Sequence, residues 1–286
     1  MAITVNTNMQ ALRIQQNLDR ATSRMNTSME RMASGSKINS AKDDAAGLAV
    51  STTLKNTISS SKVASSNVHI GSDMLASVEG SLNVISENLG RIRDLTEQAA
   101  NGTYSSDDLS AIAAEVGKRI DMIDKLANST SFNGIKLLDG TATAGITLQI
   151  GTGSDAAVDQ LKLESSIFAA IDLSSIDNAT TGLAATIEAG ISADTAAFLD
   201  DIDTVVKDLT TRVTSIGAAQ NQLAAVADGL TVQQQNLTSA LSTIKDADIA
   251  AESAAYVQQQ ILQSASASLL IQANSAPQIA LTLIKG

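Results

Sequence analysis

The chain has 286 residues and a net charge of −11 at pH 7, so it lacks the basic surface that nucleic acid or an anionic membrane would attract. It contains no cysteine, which excludes disulfides and thiolate metal sites. His69 is its only histidine, which excludes two-histidine metal sites and histidine-based catalytic triads.

The first segment predicts a long amphipathic helix over about residues 6–33. It has no basic n-region, no continuous apolar run and no small-residue cleavage site, so we expect no cleavable signal peptide and no membrane insertion. Gly35 marks the expected end of the helix. The helix is predicted from residues that recur at alternating steps of three and four: Ala11, Ile14, Leu18, Ala21, Met25, Ser28 and Met32.

Two further helices are predicted over about 41–100 and 107–127. Ser40 is the expected N-cap of the second helix, with Asp43 at the capping-box position, and Ser106 is the expected N-cap of the third. The apolar face of the third helix carries Leu109, Ile112, Val116, Ile120 and Ile123. The clearest seam of the second helix is Val78, Leu82, Ile85, Leu89, Ile92, Thr96 and Ala99.

The middle of the chain predicts a small β region. The turn dipeptides Asn133-Gly134 and Asp139-Gly140 precede two short stretches of alternating apolar and polar residues, at 146–150 and 161–163. Such alternation on both sides of a Gly-rich turn indicates a hairpin. The Ala-, Ser- and Thr-rich segment 166–196 supports no assignment.

The last third predicts persistent coiled-coil packing. One heptad phase continues from Ile202 to Leu283, over roughly eighty residues, which is more than an ordinary amphipathic helix sustains. The phase weakens near residues 248–258, and we expect the break at Gly35 to face this weak segment. The stripe after it is Leu262, Ala265, Leu269, Gln272, Ala276, Ile279 and Leu283.

These elements predict a mainly α fold: a long, coiled-coil-like helix bundle with paired terminal helices and a small inserted β-hairpin region. Few aromatic residues and a single proline favour long, closely packed helices. The predicted domains are a terminal helix pair, connecting segments and a helical rod with a β-hairpin region at 131–165: 1–34 with 256–286, 35–46 with 245–255, and 47–244.

No catalytic constellation or metal site emerges from the sequence. The acidic pairs Asp43/Asp44, Asp107/Asp108 and Asp200/Asp201 lie near predicted helix starts, where the helix dipole explains them. What recurs along the chain is an interaction surface, and stripes that reach both ends of a thin bundle are best buried between molecules. We therefore predict a protein that is not an enzyme and needs no cofactor.

Several motifs, in order, resemble bacterial flagellin, in a short form without large outer surface domains. The resemblance covers about residues 1–163 and 201–286. The motifs are "ITVNTNMQALRIQQNL", "SMERMASGSKINSAKDDAAGLAVS", "LGRIRDLTEQAANGTYSSDDL", "FNGIKLLDG", "GAAQNQL", "IKDADIAAESAAYVQQQILQSASASLLIQAN" and "APQIALTLI".

The resemblance implies an extracellular filament subunit that is exported and self-assembles into a helical homo-oligomer. It implies an export chaperone on the C-terminal segment, hook-associated and cap proteins as partners, and a Toll-like innate immune receptor that would contact Arg91, Leu95 and Glu115. The expected self-assembly interface is Ile14, Leu18, Met25, Met32, Leu262, Leu269, Ile279 and Leu283. The expected outer-core packing residues are Val78, Leu82, Ile85, Leu89, Ile92, Leu209, Val213, Ile216 and Leu223.

The segment 259–286 is interpreted as half of the terminal helix pair, partnered by the helix that carries Ile14, Leu18 and Met25, with its remaining faces left for neighbouring subunits. Two alternatives stay open: a hook–filament junction protein shares the terminal helices, and a secreted coiled-coil scaffold or adhesin shares the stripes. An enzyme inserted at mid-chain is excluded, because about thirty residues without His or Cys are too few for a domain.

Overall fold

The computed structural model describes residues 7–142, 144–173 and 192–285, with side chains described between 196 and 275 of the last range. The expectations for the side chains of Ile279 and Leu283, and most of the unassigned segment 166–196, lie outside the described residues. The chain divides into two compact units. Unit 1 comprises residues 1–58 and 235–286, and unit 2 comprises residues 59–234.

Helices dominate both units, which confirms the predicted mainly α fold with paired terminal helices and a few short strands. No helix within the described residues is long and apolar enough to cross a membrane. The helices are α1 (Met9–Ser34), α2 (Ala45–Ala99), α3 (Ser106–Ser129), α4 (Ala156–Asp159), α5 (Ser192–Lys245) and α6 (Ile249–Lys285). The strands are β1 (Ser131–Phe132), β2 (Ile135–Lys136), β3 (Ile146–Gln149) and β4 (Gln160–Leu163), followed by a 3-10 turn at Ser165–Phe168.

Helix α1 has specific signals at both ends. The side chain of Asn8 accepts a hydrogen bond from the backbone N–H of Ala11 at 3.0 Å, which satisfies one of the free donors of the first turn. Gly35 has a φ of +67° at the C-terminal end, a left-handed conformation that glycine adopts without steric cost. The predicted end of this helix is confirmed.

The predicted N-cap of α2 is wrong, because the helix begins later. Asp44 caps it, since its carboxylate accepts a hydrogen bond from the N–H of Gly47 at 2.9 Å. Ser40 and Asp43 instead close a separate turn, in which the N–H and hydroxyl of Ser40 both donate to the Asp43 carboxylate at 2.9 Å. These bonds lower the pKa of Asp43 below its ordinary value. The Ser40–Asp43 spacing does form the hydrogen bonds of a capping box, but in a turn that precedes the first residue of α2.

The N-cap of α3 is Ser105, so the prediction of Ser106 is wrong by one residue. The Ser105 hydroxyl accepts from the N–H of Asp108 at 3.3 Å, while the Asp108 carboxylate accepts from the N–H of Ser105 at 3.2 Å. This reciprocal pair requires the acidic residue three positions after the cap. Asp108 satisfies that spacing only with Ser105.

The predicted persistent heptad phase is interrupted by a break in the helix between Lys245 and Ile249. Residues 35–37 pair with the break, because the N–H of Lys37 donates to Lys245 O at 2.7 Å and that of Ala247 donates to Gly35 O at 3.0 Å. The Asp248 carboxylate then accepts from the N–H groups of Ala250 and Ala251, and this starts α6. The break near Gly35 therefore faces residues 245–247, just before the weak segment 248–258 that it was expected to face.

The core of unit 2 is one cluster to which α2, α3 and α5 each contribute an apolar face. Val78, Leu82 and Ile85 on α2, together with Ile123 on α3 and Ile216 on α5, have no exposed area. Residues after α3 complete the cluster, and the largest of these are Leu137, Leu138, Ile167 and Phe168.

The β region lies in unit 2 and follows the predicted turns. Strands β3 and β4 pair antiparallel, with Ile146 opposite Leu163, which confirms the predicted hairpin. Strands β1 and β2 form a second, two-residue hairpin around Asn133-Gly134. A Cβ atom at Gly71 would lie 2.3 Å from Leu148 Cδ1, so glycine at this position of α2 lets β3 approach the helix closely.

Arg212 is a buried polar residue that the sequence patterns did not reveal. Its guanidinium donates to the carbonyls of Ala169 and Ala170, the latter at 3.0 Å, and to the Asp208 carboxylate at 2.7 Å. Its side chain is 8% exposed, and its charge is balanced by Asp208. Arg212 therefore fixes the segment after the 3-10 turn onto α5 within unit 2.

The core assignment of α2 predicts that alanine substitution at two nearby apolar residues lowers the free energy of unfolding by very different amounts. Leu82→Ala should lower the free energy of unfolding by about 2–5 kcal/mol, because it leaves a cavity in a fully buried site. Val84→Ala is the matched control, since Val84 is 45% exposed, and its effect should stay within about 0.5 kcal/mol. Denaturant unfolding followed by circular dichroism measures both, and equal effects would contradict the assignment.

The capping box of α3 predicts a pH-dependent contribution to stability. The hydroxyl and N–H of Ser105 lower the pKa of Asp108, so the folded chain holds the ionised carboxylate more firmly than the unfolded chain does. The contribution is therefore present above the ordinary aspartate pKa of about 3.9 and is lost as pH falls through the lower folded value. A pH titration of the Asp108 carboxyl group by NMR measures the shift.

The variant Ser105→Ala removes the box and is the direct comparison. Its destabilisation relative to the parent chain should be clear near neutral pH and should shrink at about pH 3, where the carboxylates protonate. A difference between the two proteins that does not change with pH would show that Asp108 takes no part in the cap.

Candidate functional site

Helices α1 and α6 of unit 1 pack against each other in antiparallel register. The amide of Asn8 donates to the Ala273 carbonyl at 2.8 Å. The Gln263 amide donates to the Thr22 hydroxyl at 3.0 Å. Near the other end of the pair, Arg31 binds the Glu252 carboxylate at 3.1 Å. The partner number on α6 falls as the residue number on α1 rises, so the first and last helices of the chain form one pair.

The face of α1 toward α6 carries the predicted seam. Ile14, Leu18, Met25 and Met32 are half-buried there. Ala21 and Ser28, which lie between them on the same face, are buried. Small residues at the centre of a helix contact let the backbones approach closely, while the longer side chains close its sides.

The face of α6 toward α1 differs from the predicted stripe by about one residue. The positions that lose exposure are spaced by three and four: Tyr256, Gln259, Gln263, Ser266, Leu270 and Ala273. Leu262 and Leu269 remain 45% and 57% exposed. The predicted pairing of the C-terminal segment with α1 is confirmed, but the contact uses the row one residue further along, since one residue along a helix turns the side chain by about 100°.

The physical reason for the shift is that most residues of the contact row on α6 are small or polar. Gln263 reaches the Thr22 hydroxyl, and Ser266 and Ala273 need little space between the helices. A pattern search that follows the largest apolar residues selects the neighbouring row instead. The hydrophobic pattern of the sequence does not reveal the hydrogen bonds of this contact.

The outward surface of α6 is apolar and uncharged. We define the outer face as the exposed apolar residues Val257, Ile261, Leu262, Leu269 and Ile271. A shallow depression lined by Ser253, Ala254, Val257, Gln258, Ile261 and Leu262 lies at its start. No Asp, Glu, Lys or Arg occurs between Glu252 and Lys285, although 17% of the residues of the whole chain are charged.

Three lysines of unit 1, Lys37, Lys55 and Lys245, lie near the end of α5. The Lys37 ammonium donates to the Thr243 carbonyl at 2.8 Å, a contact that the negative end of the helix dipole favours. A hydrogen bond from Lys55, followed by burial, lowers the pKa of Lys245. Positive charge is thus present at the break between α5 and α6 but not on the outer face.

The expected outer-core packing residues lie in the core of unit 2, and all but one of them are buried. Val78, Leu82, Ile85, Leu89, Ile92 and Ile216 have no exposed area, and Leu209 and Leu223 are 2% and 1% exposed. Val213 is the exception and is half-buried against the same cluster.

The three residues expected at a receptor contact do not share one environment. Arg91 is exposed and Glu115 is half-buried, and they face each other across α2 and α3, with 3.9 Å between Nε and the carboxylate. Glu115 also binds Arg119 at 3.0 Å. Leu95 is only 2% exposed and belongs to the core.

No group of three or more histidine, aspartate or glutamate side chains in the described part of the chain could hold a metal ion. The acidic pair Asp107/Asp108 lies in the first turn of α3, where Asp108 serves the cap. The site that this chain builds most clearly is therefore the outer face of α6, a surface for apolar contact.

Comparison with known proteins connects this arrangement to one family. The model of the "bacterial flagellin N-terminal helical region" matches residues 5–143, and that of the C-terminal helical region matches residues 199–284. Flagellin from Listeria monocytogenes is 36% identical, over 98% of this chain and 99% of its own length. Flagellin from Bacillus subtilis is 34% identical, with the same shares covered.

One solved structure shows the same fold. A flagellar hook-associated protein from Vibrio parahaemolyticus superimposes with a TM-score of 0.62 and 20% identity, covering 71% of this chain and all of the other. The two family matches span most of the chain, and the relatives align with nearly all of it. The chain therefore belongs to the bacterial flagellin family, as a structural subunit of the flagellar filament.

Proposed function

We propose that the chain assembles by burying the outer face of α6 between neighbouring copies, together with the exposed apolar residues Met9, Leu12 and Met29 of α1. The observation that carries the proposal is the uncharged surface of α6. Ile261 and Ile271 are 63% and 73% exposed there. Soluble chains rarely expose a continuous apolar surface unless another molecule covers it.

The balance of free energies favours a second copy of the chain as that cover. Burying one large aliphatic side chain contributes about 1.5–3 kcal/mol, and each copy presents several of them on one helix. Because the face carries no charge, contact requires neither the desolvation of an ion nor the approach of like charges. Copies of this acidic chain, each with a net charge of −11, can therefore pack against one another at this surface.

The structural roles that we propose for the three regions follow the predicted domains. Residues 1–34 with 256–286 form the inner-core helix pair, and 47–244 form the outer-core rod. Residues 35–46 with 245–255 connect the two. The hydrogen bonds between residues 35–37 and 245–247 support the proposed connection. The antiparallel contact of α1 with α6 supports the proposed pair.

The proposed location is extracellular, in the filament, after export without a cleaved signal peptide. The proposed partners are an export chaperone on the C-terminal segment, hook-associated and cap proteins, and many copies of the chain itself. The exposed outer face supports the proposal of a chaperone partner, because an apolar surface of this kind would self-associate before export. The role is structural and requires neither catalysis nor a cofactor.

A hook–filament junction protein is the second candidate, and the fold similarity to a hook-associated protein is the observation that favours it. A junction protein occupies a limited number of positions, whereas a filament subunit adds to its own kind without limit. Sustained elongation from filament seeds therefore separates the two candidates.

Seeded elongation of the purified full chain tests the outer face. Leu269→Asp should slow elongation by about tenfold or more, because it loses the burial of a leucine and adds a charge to the contact. The matched control is Gln260→Asp, which adds the same charge at an exposed polar position of the same helix. Light scattering and electron microscopy follow the growth of filaments.

Equal slowing by the two variants would show that charge on α6, rather than its outer face, governs growth. Normal elongation of Leu269→Asp would remove the outer face from the assembly contact. Circular dichroism of both monomers checks that the helices are retained. If the parent chain does not elongate beyond the seeds, the filament mechanism itself fails.

We also propose a surface contact with a Toll-like innate immune receptor through Arg91 and Glu115, with Leu95 supporting the helix from the core. Arg91→Ala should weaken receptor binding by roughly fivefold or more, as the loss of a charged interface contact does. The matched control is Arg93→Ala, since Arg93 is engaged by Asp203 and Glu97. Binding to the receptor ectodomain by surface plasmon resonance measures both, and equal binding by all proteins would reject the contact.

A further inference from the structure

Two Asn-Gly dipeptides occur in exposed turns of unit 2, and they have opposite backbone conformations. Asn101-Gly102 lies in the turn between α2 and α3, and Asn133-Gly134 lies between β1 and β2. All four residues are exposed. Among the described non-glycine residues, Asn133 is the one with a positive φ, at 49°, and Gly134 has a φ of +81°. Neither Asn101 nor Gly102 has a positive φ.

We infer that Asn101 is a site of spontaneous chemical modification, at which the side-chain amide is converted to aspartate and isoaspartate, and that its twin Asn133 is protected by its turn. Asparagine is among the residues that limit the chemical lifetime of proteins. The inference is independent of the assembly mechanism, because it concerns a turn of unit 2 and the chemistry of its own backbone.

The reaction needs only the chain and water. The backbone nitrogen of Gly102 attacks the Asn101 Cγ, so that a new C–N bond forms while the bond from Cγ to the side-chain nitrogen breaks. Ammonia leaves with the proton of the Gly102 amide, and a five-membered imide remains. Water then opens the imide at either carbonyl, which gives aspartate or isoaspartate. No oxidant or reductant takes part.

Ring closure requires the attacking nitrogen to lie on the same side of the Cα–C bond as the asparagine side chain. In the left-handed conformation, with ψ of about +47°, the next nitrogen points away from that side chain. Asn133 has this conformation because two-residue hairpins with positive φ at both central residues match the twist of their strands. Its reactive geometry is therefore reached only after the turn opens.

The bonds that resist such an opening differ between the two turns. Around Asn133, rotation breaks the pairing of Phe132 with Ile135 and strains the bond from the Leu137 N–H to Thr130 O at 3.1 Å. Leu137 is also fully buried, so this hairpin is tied to the core of unit 2.

Around Asn101, the backbone bonds are those from the Thr103 N–H to Asn101 O at 2.8 Å and from the Asn101 N–H to Gln98 O at 3.1 Å, and both lie between exposed residues. Water can replace these bonds at little cost. The side-chain bond from Gln98 to the Tyr104 hydroxyl at 2.6 Å spans the turn without involving Asn101. The first turn therefore opens locally, while the second opens only with its hairpin.

The product changes the turn in two ways. Each conversion adds one negative charge beside Asp107 and Asp108, the acidic residues of the first turn of α3. The isoaspartate form also lengthens the main chain by one methylene group between α2 and α3. A subunit that remains in an extracellular polymer would accumulate this product with age.

Peptide mapping of the purified full chain tests the inference, since trypsin cleavage separates the two sites. Residues 94–118 contain Asn101 as their only asparagine, and residues 126–136 contain Asn133. The chain is incubated at mildly alkaline pH, both folded and in denaturant, and the product at each site is followed by fragment-ion mass spectrometry. An isoaspartate-specific methyltransferase identifies the isoaspartate form.

In denaturant the two sites should convert at similar rates. In the folded chain Asn101 should keep most of that rate, while Asn133 should slow by about tenfold or more, which corresponds to an opening free energy of at least about 1.4 kcal/mol. Equal rates at the two sites of the folded chain would overturn the inference. So would the absence of product at Asn101 under conditions in which the unfolded chain reacts.

The variant Gly102→Ala provides the matched control. A Cβ atom at Gly102 would meet no other atom within 4 Å, and its φ is not positive, so the fold accommodates alanine there. The alanine methyl group hinders attack by the backbone nitrogen of residue 102 on the Asn101 Cγ. The rate of conversion at Asn101 should therefore fall several-fold, while the rate at Asn133 stays unchanged. An unchanged rate at Asn101 would show that the product arises by another route.

Discussion

The antiparallel contact between α1 and α6 determines which surface this chain presents. It joins the first and last helices through small residues, Ala21 and Ser28 on one side and Ala273 on the other. It is bounded by the pairs Asn8–Ala273 and Arg31–Glu252. Once this register is set, the rotation of α6 is set with it. The apolar row with Leu269 then faces away from α1 and is exposed.

The same contact leaves large aliphatic side chains of α6 exposed, as the proposed assembly through the outer face requires. Polar residues such as Gln263 and Thr22 satisfy one another inside the pair, while Leu262 and Leu269 stay exposed on the other side of α6. A stronger internal seam, with leucines at its centre, would bury the surface that assembly needs.

Unit 2 follows the opposite arrangement, in which the large residues point inward. Leu82, Ile85 and Ile216 have no exposed area, and Arg212 ties the segment after the 3-10 turn to α5 with hydrogen bonds. Two of its turns differ in how firmly hydrogen bonds and buried residues fix them. The hairpin around Asn133 is anchored by the buried Leu137, whereas the turn at Asn101 is closed by exposed bonds, and the same dipeptide therefore has two different chemical environments.

The sequence by itself determined the helical class, the end of α1 at Gly35, the hairpin at 146–163 and the α1 seam through Ile14 and Leu18. Each rests on local spacing or on a turn residue, which act over a few positions of the chain. Local patterns also located the caps of α2 and α3, but they chose Ser40 and Ser106 where the structure uses Asp44 and Ser105. Neighbouring Ser and Asp residues offer equivalent caps until the helix start is known.

Only the tertiary structure decided the rotation of α6, the break after Lys245 and the role of Arg212. The rotation depends on contacts of Gln263 and Ala273 with a helix more than two hundred residues earlier in the chain, which no local pattern encodes. The break depends on backbone bonds to residues 35–37, and Arg212 depends on two carbonyls about forty positions away. Hydrophobic periodicity reports that a helix has an apolar side, whereas the choice between two adjacent rows requires the geometry of the partner.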